Sequence, residues 1–118
     1  LDDSDLYVLF ASGSPVSEIC LWQRPDGHLE IKNLATRADQ RGKGYARKLI
    51  DEAVRRYSAD FRRLYVGTSL DNIAFYESCG FRRDYVEKDF FLTHYAQPIY
   101  VDGQVLRDMQ YLVMDLDI

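Results

Sequence analysis

The segment NLATRADQRGKGYARKL, from Asn33 to Leu49, limits the folds open to this chain more than any other. A strand-like run enters it, two glycines interrupt it, and a helical pattern leaves it. Ala46, Leu49, Ile50, Ala53, Val54 and Tyr57 recur at offsets of three, four, seven, eight and eleven, the apolar stripe of a helix packed on one side. A glycine in or beside a helix costs roughly 1 kcal/mol relative to alanine. Gly42 and Gly44, flanked by Arg41, Lys43 and Arg47, therefore call for compensation, and a bound phosphate would supply it. A helix start leaves about four N–H groups unpaired and carries partial positive charge. Glycines let the backbone approach an anion that satisfies those donors.

The flanking elements set the fold class. LYVLFAS, Leu6 to Ser12, reads as a buried strand, VSEICLWQ as a second and LEIKNLAT as a third. Pro25-Asp26-Gly27 turns the chain before the third, so these strands predict an antiparallel meander. After the helix, LYVGT reads as another buried strand. A strand–helix–strand unit pairs its strands in parallel through a right-handed crossover. LDNIAFYESC fits a second helix, with Ser69 or Asp71 as its cap and Gly80 as a left-handed stop. In the last third FRRDYVEKDFF alternates imperfectly, Asp102-Gly103 signals a hairpin, and MQYLVMDL closes as a strand. The expectation is a mixed α/β fold of the α+β type, mostly antiparallel, in a single domain spanning residues 1–118.

Composition narrows the function. Fifteen Lys and Arg against 19 Asp and Glu give a net charge of −4, which argues against a general nucleic-acid binder. Yet Arg37, Arg41, Lys43, Arg47 and Lys48 crowd a stretch that holds only Asp39 as a counterweight, a pattern suited to a compact polyanion. No apolar run approaches the ~18 residues that cross a bilayer, so no membrane role is expected. Cys20 and Cys79 lie far apart, as do His28 and His94, so neither a metal set nor a disulfide is expected and a cytoplasmic setting is. The chain opens on Leu1 rather than Met, which implies a processed or trimmed start.

Two well-known phosphate motifs fail here. A P-loop needs Gly-Lys-Ser/Thr, but Gly44 precedes Tyr45; a dinucleotide fingerprint needs a third glycine where Lys48 stands. A different set of motifs matches. RGKGYA fits Arg/Gln-x-x-Gly-x-Gly/Ala at Arg41, Gly44 and Ala46; NLAT stands in front of it; and AFYESCGF sets Gly80-Phe81 four and five residues after Tyr76. In that order, from Leu6 to Met114, the chain resembles the GNAT superfamily of acyl-CoA-dependent N-acetyltransferases. Its tail resembles a bacterial subgroup of small members.

That resemblance implies a twisted sheet with a central splayed parallel pair, IKNLAT and LYVGT, and helices on the faces. It implies acetyl-CoA as co-substrate and no metal. The pyrophosphate would lie on the backbone of Arg41, Gly42, Lys43, Gly44, Tyr45 and Ala46, with Arg47 close behind. The pantetheine arm would run along the main chain of Leu34, Ala35 and Thr36, as an added strand does, and amides there would stabilise an oxyanion. Tyr76 would protonate the leaving thiolate, and Glu30 would accept the proton of the attacking amine, directly or through water. Relatives often carry an asparagine where Ser69 stands; Asn72, one helical turn before Tyr76, would face the cofactor in its place.

Relatives also begin with a strand and one or two helices that form part of the acceptor pocket, and few residues precede LYVLF here. A minimal or trimmed chain is therefore expected, its acceptor side open or completed by a partner. Asp89, Phe90, Phe91, His94 and Tyr95 would border that side, although the two phenylalanines read as core and Cys79 as packing. The implied activity moves an acetyl group to a primary amine of a small molecule or protein by direct attack. The alternative is a non-catalytic acyl-CoA-binding regulatory module, and unpaired strand edges are a route to a homodimer.

Overall fold

The computed structural model describes residues 4–116, so the processed start expected at Leu1 and the outer ends of the domain expected over 1–118 lie outside the described residues. The chain divides into two compact units, Leu1–Tyr65 with Met114–Ile118, and Val66–Val113.

The first unit carries strands β1 (Ser4–Ala11), β2 (Ser14–Gln23) and β3 (Leu29–Thr36), helix α1 (Tyr45–Tyr57), and the start of strand β4 (Arg63–Thr68). The order is β1-β2-β3-β4, antiparallel through the meander and parallel between β3 and β4, as the strand–helix–strand pattern predicts. Glu18 faces Ala35 across β2 and β3, and a bulge at Cys20/Leu21 lets Trp22 pair with Glu30. The stripe read from the sequence becomes the buried face of α1: Leu49, Ile50 and Ala53 are buried, and the helix packs on β2 and β3. Ile19, Leu21, Ile31 and Leu64 complete this core. Each such side chain contributes about 1.5–3 kcal/mol through its removal from water.

One expectation fails. β1 forms, but it is not a buried strand: Leu6, Val8 and Phe10 are 59%, 41% and 62% exposed. β1 is an edge strand paired only with β2, and α1 covers just one of its faces. There the Tyr57 hydroxyl donates to Asp5 and lies 2.8 Å from the Tyr7 hydroxyl. An apolar run indicates a strand without indicating how many of its faces are covered.

The second unit continues β4 and adds helix α2 (Ile73–Ser78), strand β5 (Arg82–Glu87), helix α3 (Phe90–His94), the hairpin strands β6 (Tyr100–Val101) and β7 (Gln104–Val105), and strand β8 (Met109–Asp115). β8 lies between β4 and β5, antiparallel to β5. A Cβ on Gly67 would come within 2.9 Å of the Tyr111 ring, so only glycine lets β4 sit this close to the β8 side chains. Asp102 and Gly103 adopt φ of 52° and 79°, the left-handed pair that a two-residue hairpin turn demands.

The second helix differs from its expected form. Its first residues make a 3₁₀ turn, Leu70–Asn72, so Asn72 rather than Ser69 or Asp71 precedes α2. Gly80, at φ 105°, ends it as expected. α3 was not legible: at five residues it is too short to display a helical period, and DFF reads equally as the end of β5.

Candidate active site

In the first unit the chain leaves β3 at Thr36, makes a 3₁₀ turn over Ala38–Gln40, and reaches α1 through residues 41–44. Gly42 and Gly44 hold φ of 77° and 83°, and a Cβ on either would meet nothing within 4 Å, so torsion rather than crowding requires glycine here. Gly44 is the N-cap of α1, and its carbonyl accepts the Lys48 N–H at 3.0 Å. It brings no side chain to accept from the first-turn amides, and no acidic residue stands in that turn. Lys43 Nζ donates to Gln40 at 2.9 Å and Arg37 pairs with Asp39 at 2.8 Å. Arg41 and Lys48 are exposed and make no ion pair among the described residues. The result is a cluster of donors with positive charge around it.

Behind the loop, Leu34 and Thr36 are half-buried and Ala35 is exposed. Ala35 and Thr36 line a cavity of about 280 Å³ together with Val16, Ser17 and Arg37. Ser17 Oγ donates to the Ala35 carbonyl at 2.9 Å and lies 2.9 Å from the Thr36 hydroxyl. Ser17 therefore fixes the part of β3 that the resemblance expects to take the pantetheine arm. Nothing in the sequence marks it, because its role depends on the register between β2 and β3.

Glu30 lies earlier on β3 and is buried. Its two oxygens are each 3.5 Å from a cation, Oε1 from Arg24 and Oε2 from Lys32. Arg24 stacks 4.2 Å from the Tyr65 ring centroid and pairs with Asp26 at 3.1 Å; Lys32 sits 4.3 Å over Trp22. Burial pushes the Glu30 carboxyl above its ordinary range, against the pull of Lys32 and Arg24. A carboxylate whose pKa is raised in this way is a stronger base than an exposed one.

The other two residues expected at the site lie in the second unit. Tyr76, on α2, is buried, with its ring edge-on to Phe75 and Phe81 at 5.2 and 5.6 Å. Its hydroxyl has no hydrogen-bond partner among the described residues. Burial, with a contribution from Cys79, pushes its pKa up to about 12. Asn72 is exposed at the start of α2 and its side chain makes no capping bond.

The residues expected to border the acceptor are occupied with one another. His94 Nδ1 lies 2.9 Å from the Phe90 carbonyl and its ring stacks on Phe90 at 4.2 Å. Phe91 is buried, Tyr95 stacks on it at 6.0 Å, and Asp89 pairs with Arg107 at 3.2 Å. None of these lines the cavity of the second unit, about 520 Å³, which lies among Thr68, Asp71, Val101, Asp102, Asp108 and their neighbours. Asp102 is visible in the sequence only as a turn residue. Among the described residues no His, Cys, Asp or Glu group is placed to hold a metal, and no helix is long and apolar enough to cross a membrane.

Comparison with known proteins identifies the family. Residues 1–81 match the model of the acetyltransferase (GNAT) family. An uncharacterized N-acetyltransferase, YvbK, of Bacillus subtilis (strain 168) is 29% identical over 98% of this chain and 77% of its own length. An IAA acetyltransferase from Bacillus cereus ATCC 14579 is 32% identical, covering 97% of this chain and 79% of that one, with a TM-score of 0.86. A Bacillus subtilis acetyltransferase solved in complex with CoA is 28% identical over 98% of this chain and 78% of that one, with a TM-score of 0.87. Glycine loop, parallel strand pair and tyrosine helix thus occur together in a chain that belongs to the acetyltransferase (GNAT) family.

Proposed function

We propose that this chain, acting as one domain, transfers an acetyl group from acetyl-CoA to a primary amine by direct attack. The observation that carries the reading is the pair of left-handed glycines opening α1 beside the unpaired charges of Arg41 and Lys48. The first-turn amides of Tyr45, Ala46 and Arg47, with the loop amides of Arg41, Gly42, Lys43 and Gly44, hold the CoA pyrophosphate. The similar Bacillus subtilis acetyltransferase, solved with CoA, supports this ligand. Main-chain groups of Leu34, Ala35 and Thr36 take the pantetheine arm, and Asn72 serves the cofactor near its sulfur.

In the reaction the neutral amine forms a C–N bond at the thioester carbonyl, whose oxygen gains charge. Amides near Leu34 to Thr36 stabilise that oxyanion. The amine proton passes to Glu30, whose raised pKa makes it a stronger base than an exposed glutamate. The C–S bond breaks, and the leaving thiolate accepts a hydrogen bond from the Tyr76 hydroxyl, which precedes its protonation. At about 12, the Tyr76 pKa keeps the phenol protonated throughout the physiological range. It also makes full proton transfer to a thiolate uphill, so Tyr76 serves first as a hydrogen-bond donor that lowers the charge on sulfur. Cys20 and Cys79 form no disulfide among the described residues, which fits a reducing, cytoplasmic setting.

A second reading, a non-catalytic acyl-CoA-binding module, draws on Ser69 standing where relatives often have asparagine. Melting curves with and without saturating acetyl-CoA test the shared premise, with NAD as a phosphate-bearing control. A ligand at about 100 times its Kd adds roughly 2.7 kcal/mol, which raises the Tm by about 10 °C or more for a domain of this size. A shift specific to acetyl-CoA is expected, and its absence sinks both readings. Release of CoA with an amine present then separates enzyme from module.

A further inference from the structure

We propose that the cavity of the second unit binds an aliphatic diamine or polyamine, a methylene chain with ammonium groups set apart along it. The cavity encloses about 520 Å³, and Val86, Val101 and Leu106 give it apolar walls. Asp71, Asp102 and Asp108 line it against a single cation, Arg107. That cation is committed elsewhere, 3.2 Å from Asp89, which is not part of the lining. Asp71 and Asp102 make no ion pair among the described residues.

The neutral groups point the same way. Gln110 Nε2 donates to the carbonyls of Tyr85 and Tyr111 at 3.3 and 2.9 Å, which leaves its oxygen as the free end of the amide. Thr68 is 8% exposed, and its hydroxyl has no partner among the described residues although it lines the cavity. The lining therefore offers acceptors and negative charge, and no uncommitted cation. An ammonium is the complement, three donors and no acceptor. The carboxylates do not gather into a group able to hold a metal ion, which favours charges spread along a flexible chain over a point charge. The apolar lining of the same cavity suits the methylenes that separate the ammonium heads.

As an acceptor site the cavity rests on the acetyl-transfer reading; as a binding site it stands without it. The experiment is calorimetric titration of the whole chain with 1,4-diaminobutane and spermidine, against 1-aminobutane and 1,4-butanediol, at low and high salt. The diamine is expected to bind at least about tenfold more tightly than the monoamine, the diol not at all, and the advantage to shrink with added salt. Asp71→Asn and Asp102→Asn should each weaken the diamine about threefold, and together about tenfold. Both positions are exposed, and asparagine tolerates the left-handed backbone at 102, so the fold survives the test. Equal affinity for diamine and monoamine, or diamine binding untouched in the double variant, overturns the proposal. The two readings fail separately: an acetyl-CoA melting shift without diamine binding removes only this site, and diamine binding without that shift removes only the acetyl-transfer reading.

Discussion

At the scale of single residues, burial raises the pKa of both Glu30 and Tyr76, with opposite consequences. Glu30 must ionise to act as a base, so kcat/KM should fall as pH drops through a pKa above 4.5, and Glu30→Gln should remove that acid limb along with most of the rate. The stability sign is also fixed. The folded chain holds the Glu30 proton more tightly than the unfolded chain does, so this contribution is complete below about pH 4.5 and is lost as pH rises through the raised value. Thermal melts across that window should therefore decline more steeply for the parent than for Glu30→Gln. Tyr76→Phe keeps the ring packing on Phe75 and Phe81 and deletes only the donor. Its kcat should drop about 10²-fold or more with KM for acetyl-CoA unchanged. A variant that turns over at the parent rate would remove Tyr76 from the mechanism.

Among the elements, those whose cause is local were legible in the sequence. The stripe of α1, the left-handed stop at Gly80 and the Asp102-Gly103 turn each follow from a few neighbouring residues. The left-handed torsions of Gly42 and Gly44 were legible for the same reason, since the paired glycines spell them out. Ser17, Thr68 and the cavity aspartates were not, because each acquires its role only when strands distant in sequence are brought into register. α3 was missed as too short for periodicity to reveal. The loop itself is testable. Gly44→Ala meets no steric obstacle but must hold φ of 83°, a penalty of about 1 kcal/mol or more. A Tm lower by about 4–8 °C is expected, together with weakened acetyl-CoA binding by calorimetry, and Gly44→Asn should recover much of the stability.

For the molecule as a whole, the net charge of −4 conceals an uneven distribution. One unit carries a basic loop and the other an acidic cavity, and both ligands proposed above would be recognised through those local charges. The exposed apolar row Leu6, Val8 and Phe10 on edge strand β1 is a hazard at the same scale, since unpaired strand edges invite pairing between chains. Light scattering at rising concentration should show self-association that Leu6→Lys with Phe10→Lys reduces; unchanged scattering would mean that another surface is responsible.

Trp22 is the sole tryptophan, and the Lys32 ammonium lies over its ring while Glu30 pairs with it across the strands. The protein therefore carries a built-in optical probe of its own buried carboxyl. When Glu30 gains or loses its proton, the pull on Lys32 changes, and with it the field at the indole. Emission followed across an acid titration should trace that single ionisation in the absence of any substrate, and the curve should flatten once Glu30 is replaced by glutamine.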